Sequence, residues 1–126
     1  DLHGRMDLVF VDAPCTGSGT WRRNPDSKWR LRPNALQVRM QEQREALALA
    51  APLVKVGGRL IHVTCSVLPE ENEDQVDAFL ASYAGFRAVG LARDDIPGHK
   101  RGLALQMTPL QTGCDGFFVA ALERLG

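Results

Sequence analysis

Short apolar runs, separated by polar and glycine-containing segments, predict the strands of this chain. Residues 6–11 (Met-Asp-Leu-Val-Phe-Val) form a nearly continuous apolar run with β-branched and aromatic side chains. Such a run is typical of a strand that is buried on both faces in a parallel sheet. Residues 59–64, 86–91 and 116–122 predict three further strands, whereas residues 21–33 are predicted to form a long loop and residues 94–113 to be rich in loops.

A helix is predicted between the first two strands. Asn34 is a suitable N-cap, and Gln37 follows three residues later, as in a capping box. We expect Pro52 to kink or end this helix early and Gly57-Gly58 to be a strong stop. The apolar face of the helix would comprise Leu36, Met40, Leu47, Ala50 and Val54.

A second helix is predicted after the second strand. Pro69 suits the first turn of a helix, and the acidic residues that follow it lie where the helix dipole favours negative charge. Its apolar face would comprise Val76, Phe79, Leu80 and Tyr83. The order strand, helix, strand, helix, strand, strand predicts an α/β layered fold with a mostly parallel sheet.

Composition fits one globular domain. The chain has 126 residues, of which 44% are hydrophobic and 24% charged. No apolar run approaches the roughly 20 residues needed to cross a bilayer. The first residues lack both the order of a signal peptide and an initiating methionine, which suggests a cut inside a longer chain. Nothing in the sequence indicates an oligomeric state.

Charge is balanced overall but unevenly distributed. The formal net charge is zero. Residues 20–60 nevertheless contain nine basic and three acidic side chains, and arginine outnumbers lysine twelve to three in the whole chain. Arginine suits bidentate contacts with phosphate. The basic segment is therefore either a surface that faces RNA or a set of solvated helix faces.

Three cysteines are too few for a disulfide scaffold, and their spacing does not suggest a zinc site. Free thiols are therefore expected, in a reducing compartment. Two of the cysteines, Cys15 and Cys65, each follow a predicted buried strand. Because ligands of open α/β sheets bind outside the carboxyl ends of the strands, parallel neighbours would bring both thiols to one edge. The alternative is two buried structural cysteines.

Five sequence segments, two of them overlapping, resemble the RNA cytosine-C5 methyltransferases. The run Asp12-Ala13-Pro14-Cys15-Thr16-Gly17-Ser18-Gly19 resembles motif IV of that family, and Thr64-Cys65-Ser66 resembles its motif VI. Residues 22–29 and 65–72 resemble the bacterial RsmB (Sun) branch, which modifies small-subunit ribosomal RNA. Asp115-Gly116-Phe117-Phe118 resembles the last-strand signature. The resemblance covers nearly the whole chain in the order of the family.

The resemblance implies the C-terminal portion of a Rossmann-like class I methyltransferase sheet, mostly parallel with an antiparallel final strand. Residues 1–126 would form the C-terminal part of one catalytic domain, without the N-terminal half that binds the cofactor, S-adenosylmethionine. By itself this part would be inactive. The implied reaction is methyl transfer to C5 of cytosine in RNA, in the cytoplasm, with no membrane or metal involved.

The resemblance also implies roles for individual residues. Cys65 would be the nucleophile that attacks cytosine C6, Cys15 would help to break down the covalent adduct, and Asp12 would contact the cofactor. DNA cytosine methyltransferases place their nucleophile in a Pro-Cys motif like that of Cys15, so the two roles could be exchanged; Thr64-Cys65-Ser66 favours Cys65. Candidate phosphate contacts are Arg22, Arg23, Lys28 and Arg30.

Three interpretations remain for other residues and for the chain as a whole. Trp21 or Trp29 could stack on a base, although core packing is an alternative. Cys114 is interpreted as structural. The alternatives to a methyltransferase are a non-catalytic module that binds RNA or protein, and a cysteine-dependent hydrolase. The hydrolase is disfavoured because His62 lies three residues from Cys65 on a strand, which turns the two side chains to opposite faces.

Overall fold

The protein is an α/β structure in which two helices cover one sheet. A computed structural model describes residues 2–126 except 22, 24, 27, 28, 30, 31, 92–98 and 109–114. The described strands are β1 (Met6–Asp12), β2 (Val54–Thr64), β3 (Phe86–Val89), β4 (His99–Arg101), β5 (Ala104–Met107) and β6 (Phe117–Arg124). The described α-helices are α1 (Ala35–Ala50) and α2 (Glu73–Ser82). None of the described helices is both long and apolar enough to cross a bilayer.

The sheet order places β2 between β1 and β6. The order is β1-β2-β6-β5-β4, and β3 pairs with β6 beside β5. The pair β1–β2 is parallel, whereas β6 is antiparallel to β2, β3 and β5. Strands β1, β2, β3 and β5 therefore share one direction, and the final strand runs against them. The predicted fold class, including the antiparallel final strand, is confirmed.

The connection from α1 to β2 differs from the prediction in one respect. Pro52 ends the helix as predicted, within a 3₁₀ turn over Ala51–Leu53. Gly57 and Gly58, predicted as a helix stop, instead lie inside β2. The pairing of β2 with β1 shifts there, and Gly57 has a φ of 82°, a conformation that glycine adopts without the steric penalty of a Cβ. The glycines therefore form an irregularity in a strand.

The core lies between the two helices and β2, β3 and β6. Both predicted apolar faces contribute to it, through Leu47 and Ala50 of α1 and through Val76 and Phe79 of α2. The core cluster is Leu47, Ala50, Ala51, Val54, Leu60, Val76, Phe79, Phe86, Phe118, Ala120 and Leu122. Asn34 is the N-cap of α1, as predicted, but its side chain makes no capping hydrogen bond.

One face of β1 is exposed, so the prediction of a strand buried on both faces is wrong. Leu8 is 59% exposed and Phe10 is 63% exposed. The other face, with Val9 and Val11, packs against the core cluster. The physical reason is that β1 lies at one end of the sheet order and α1 contacts it from one side. The apolar run correctly indicated a strand but not how many of its faces are covered.

Two segments predicted as loops contain regular structure. Residues 94–113 include the antiparallel hairpin β4–β5, in which Lys100 pairs with Leu105. Leu105 and Gln106 are buried because β5 extends the sheet beside β6. In residues 21–33, Asp26 and Trp29 have helical backbone conformation. The structure of residues 94–113 depends on the pairing of β5 with β6, which a local sequence pattern does not predict.

Candidate functional site

The two thiols of the predicted pair meet at the carboxyl edge of β1 and β2. These strands are parallel neighbours with Asp12 opposite Val63, so the segments that follow them leave the sheet side by side. The sulfur atoms of Cys15 and Cys65 are 3.4 Å apart, within hydrogen-bond distance, and both cysteines are free and half-buried. The prediction that both thiols reach one edge is confirmed.

Close backbone contacts hold the glycine-containing loop after Cys15 against the segment after β2. The amide of Gly19 donates to the carbonyl of Cys65 at 2.9 Å, and the amide of Gly116 donates to the carbonyl of Gly19 at 2.7 Å. Gly17 has a φ of 75°, which glycine tolerates without a Cβ clash. The loop therefore lies between the Cys65 segment and the start of β6, and only residues without a side chain allow this approach.

Buried polar groups continue the core face of β2 towards the thiols. Leu60, His62 and Thr64 share one face of the strand and are all fully buried, so the face changes from apolar to polar at its carboxyl end. Around this end lies a network of buried polar side chains. Its members are Thr16, Ser18, Gln43, Thr64, Ser66, Glu71, Asn72 and Gln106.

Sequence reasoning assigned no site role to this network. The sequence pattern indicates Glu71 only as an acid in the first turn of a helix, yet it lies at the end of the 3₁₀ turn Pro69–Glu71 and is fully buried. Gln43 occupies a polar position within α1 and is also fully buried. The sequence feature that could have indicated a site role is the position of Glu71 and Asn72 a few residues after Cys65. Burial of Gln43 carries no local signal.

The contact between the thiols shifts their pKa values in opposite directions. A hydrogen bond from Cys15 lowers the pKa of Cys65 to about 7, against the opposing effects of burial and of the charges of Asp12 and Glu71. The same hydrogen bond, together with burial, raises the pKa of Cys15 far above its ordinary value. Either sulfur can be the donor in this contact, and when Cys15 keeps its proton, its thiol stabilises a thiolate on Cys65.

Removing the Cys15 thiol is expected to make Cys65 less reactive near neutral pH. In a Cys15→Ala variant of the full-length protein, the pKa of Cys65 should rise from about 7 towards the ordinary 9.0 because the hydrogen bond is lost. Its iodoacetamide alkylation rate at pH 7 should fall about tenfold, after allowance for the greater intrinsic reactivity of a more basic thiolate. The measurement is alkylation rate against pH, with the modified cysteine identified by mass spectrometry. If the midpoint of the alkylation rate against pH did not change, the hydrogen bond with Cys15 would not be the cause of the lowered pKa of Cys65.

The predicted cofactor and RNA contacts lie partly within the described residues. Asp12 is exposed at the end of β1, and its charge acts on Cys65. Arg23 is 63% exposed and forms a bidentate pair with Asp115, at 2.8 Å for the shorter bond. Trp29 is 80% exposed, whereas Trp21 is half-buried. The other three predicted phosphate contacts and the predicted structural cysteine, Arg22, Lys28, Arg30 and Cys114, lie outside the described residues.

Among the described contacts, His62 meets Glu71 and Phe118 rather than either thiol. Its Nε2 lies 3.4 Å from the carbonyl oxygen of Glu71, and its ring makes an edge contact with Phe118. Burial lowers the pKa of His62 to about 4, so the ring is neutral at physiological pH. This placement agrees with the expectation that the strand turns His62 away from Cys65. The chain has no cysteine–histidine pair of the hydrolase type among the described residues.

Comparison with known proteins identifies relatives over almost the whole chain. The family model described as 16S rRNA methyltransferase RsmB/F matches residues 1–123. Ribosomal RNA small subunit methyltransferase B of Pectobacterium carotovorum is 40% identical over 96% of this chain, and that of Cronobacter sakazakii is 40% identical over 94%. The matched chain spans 27% and 26% of the lengths of these two relatives.

Solved structures agree with these sequence relatives. The crystal structure of PH0851 superposes with a TM-score of 0.88 at 43% identity, over 97% of this chain and 27% of that one. The crystal structure of NSun6 from Pyrococcus horikoshii with SFG has a TM-score of 0.77 at 25% identity, over 94% of this chain and 30% of that one. With the family model matched over nearly every residue, this chain belongs to the RsmB/F family of 16S rRNA methyltransferases.

Proposed function

We propose that the full-length protein transfers a methyl group from S-adenosylmethionine to C5 of cytosine in small-subunit ribosomal RNA. The observation that carries the proposal is the pair of thiols 3.4 Å apart at the carboxyl edge of two parallel strands. The names of the sequence relatives support ribosomal RNA as the substrate. Two free thiols at a half-buried edge fit a reducing compartment, and we assign the protein to the cytoplasm.

Cys65 supplies the nucleophile in this proposal. Cytosine C5 is a weak nucleophile, and attack of a thiolate at C6 makes C5 resemble an enamine carbon that can take a methyl group. A thiol with a pKa of about 7 is substantially ionised at neutral pH, as this step needs. A new sulfur–C6 bond forms, and the ring electrons move towards C5. The motif Thr64-Cys65-Ser66 supports Cys65 rather than the exchanged assignment.

Cys15 acts after methylation in this proposal. The hydrogen bond to the Cys65 thiolate is the largest cause of the raised pKa of Cys15. The Cys65 sulfur is no longer charged once it has bonded to C6, so this cause is removed. The pKa of Cys15 then falls, and its proton can leave to solvent. The Cys15 thiolate takes the proton from C5, the electrons of that C–H bond restore the ring double bond, and the sulfur–C6 bond breaks to release Cys65.

Asp12 is the cofactor contact that this chain contributes. Its carboxylate is exposed at the carboxyl end of a parallel strand, beside the thiols, which is where open α/β sheets hold ligands. A carboxylate at this edge can accept a hydrogen bond from an amino group of S-adenosylmethionine, so the residues present fit this part of the cofactor. When bound, the cofactor supplies the methyl group. We propose that residues preceding this chain form the rest of its pocket.

RNA would reach the thiols from the basic segment. The target base must leave its stack to meet Cys65. Arg22, Arg23, Lys28 and Arg30 are proposed as phosphate contacts, and the exposed Trp29 is suited to stacking on a base. The Arg23–Asp115 pair holds one of these guanidinium groups beside the start of β6, close to the loop that follows Cys15.

Methyl transfer by the full-length protein tests this function. With S-adenosylmethionine carrying a labelled methyl group and unmodified small-subunit ribosomal RNA, we expect label in the RNA as 5-methylcytosine after nuclease digestion and mass spectrometry. Small-subunit RNA already methylated by the native enzyme serves as the matched control and should take no label. RNA binding without label in either substrate would favour the alternative, a non-catalytic RNA-binding or protein-interaction module.

A further inference from the structure

The carboxylate of Glu71 receives a hydrogen bond at every site that its two oxygens offer. The side chain is fully buried. Oε1 accepts from the hydroxyl of Thr16 at 2.6 Å and from the hydroxyl of Ser66 at 2.7 Å. Oε2 accepts from the amide of Thr16 at 2.8 Å and from Nε2 of Gln43 at 3.3 Å. A carboxylate has about four acceptor sites, so this set saturates it.

The four donors connect the two segments that carry the thiols. Thr16 directly follows Cys15, and Ser66 directly follows Cys65. Gln43 of α1 adds a second tie to the same loop, because its Nε2 also donates to the carbonyl of Pro14 at 2.8 Å. The carboxylate is therefore the shared acceptor of two loops that come from different strands.

Burial of this carboxylate has no explanation in core packing alone. A buried charge is costly unless hydrogen bonds replace its hydration, and an apolar side chain of similar volume would fill the space without that cost. Its four donors are neutral groups, so hydrogen bonds rather than an ion pair compensate the charge. A buried carboxylate with these donors is explained if the loops that carry Cys15 and Cys65 must be held in a fixed relative position.

We propose that Glu71 is a positioning residue that holds the loop of Cys15 against the segment of Cys65 and thereby sets the distance between the two sulfur atoms. This inference rests on the proposed function for its consequence, since the roles of both thiols depend on their contact. The geometry itself can be tested without any methyl transfer.

Two substitutions at Glu71 separate positioning from charge. Glu71→Gln removes the charge but keeps the shape: the amide oxygen can accept from the Thr16 amide and Gln43, while the hydroxyls of Thr16 and Ser66 turn to accept from the amide nitrogen. Glu71→Ala removes all four hydrogen bonds. The charge of Glu71 opposes a thiolate on Cys65, so loss of charge alone lowers the pKa of Cys65, whereas loss of the Cys15 contact raises it.

The experiment measures the iodoacetamide alkylation rate of Cys65 against pH in the full-length protein. We expect Glu71→Ala to move the midpoint upward and to lower the rate at pH 7 severalfold, because fewer Cys65 thiols are ionised there and the greater reactivity of a more basic thiolate offsets only part of that loss. Glu71→Gln should keep the wild-type midpoint or move it downward. A Glu71→Ala midpoint that stays in place or falls would overturn the proposal.

A milder pair of variants covers the case in which Glu71→Ala does not fold. Thr16→Val removes one hydroxyl donor to Glu71, and Thr20→Val removes a hydroxyl that donates to the carbonyl of Gly17 instead. The readout is the rate at which diamide, a dithiol oxidant, joins Cys15 and Cys65 in a disulfide and is itself reduced to the hydrazide. We expect this rate to fall at least twofold in Thr16→Val but not in Thr20→Val. Equal rates would contradict the proposal.

The outcomes for positioning and for function remain distinguishable. If the wild-type protein transfers no methyl group while Glu71→Ala still shifts the Cys65 midpoint upward, the proposed function fails and positioning stands. If methyl transfer is observed but Glu71→Ala leaves the thiol measurements unchanged, positioning fails and the function stands.

Discussion

Replacing Cys65 by serine in the full-length protein is expected to abolish covalent trapping of RNA that contains 5-fluorocytosine. Fluorine at C5 cannot leave as the proton does, so an enzyme that forms the sulfur–C6 bond remains attached to such RNA. Without the Cys65 thiolate no adduct forms, and methyl transfer to ordinary RNA should fall by roughly a thousandfold or more, the scale on which loss of a covalent nucleophile acts. Denaturing gel electrophoresis of labelled RNA measures the adduct.

The Cys15→Ser variant is the matched comparison, because it changes the other thiol of the same pair in the same way. Here the nucleophile remains, while proton removal from C5 is slowed, so adduct with ordinary RNA should accumulate after methylation. A serine hydroxyl can still donate to the Cys65 thiolate, which preserves the first step better than alanine does. Equal trapping by both variants would refute the division of roles, and the opposite pattern would exchange them.

Substituting Gly19 by alanine is expected to cause the second large loss. A Cβ there would overlap the carbonyl oxygen of Gly116 and approach the carbonyl oxygen of Cys65 to 2.7 Å. Both are backbone atoms, so the loop itself must move. The free energy of unfolding should fall by about 1–3 kcal/mol, the usual cost of overpacking. Because the loop carries Cys15, methyl transfer should fall by about a hundredfold, as for a misplacement of about 1 Å.

Gly90→Ala provides the control for this substitution. Its added Cβ would lie 3.9 Å from Cδ2 of Leu103, an ordinary van der Waals contact. Chemical unfolding and the methyl-transfer rate are measured for both variants in the full-length protein. We expect Gly90→Ala to change the unfolding free energy by less than about 0.5 kcal/mol and the transfer rate hardly at all. Similar behaviour of the two variants would show that the loop tolerates a side chain.

Sequence patterns predicted the elements that local chemistry controls. The period of apolar residues indicated both helices, and Pro52 ended α1 because it cannot donate the next helical hydrogen bond. The strands β1, β2, β3 and β6 also follow from apolar runs. Placing Cys15 and Cys65 at one edge required only that β1 and β2 be parallel neighbours, which the intervening helix favours.

Local patterns failed where long-range pairing decides the structure. The β4–β5 hairpin exists because β5 pairs with β6, and nothing in residues 94–113 alone distinguishes it from a loop. The exposure of Leu8 and Phe10 depends on which face of β1 the helices cover. Taken alone, Gly57-Gly58 predicts the end of a helix. Because α1 already ends near Pro52, the two glycines lie within β2 instead.

The sequence by itself determined the family, the strand and helix types and the two cysteine motifs, because these depend on residue identity and spacing. Only the tertiary structure decided how the thiols act on each other. Their 3.4 Å contact and the hydrogen bonds that join Glu71 to Thr16 and Gln43 link residues 28 to 55 positions apart in the chain. Electrostatic interactions and hydrogen bonds act through space, so a local sequence pattern does not predict them.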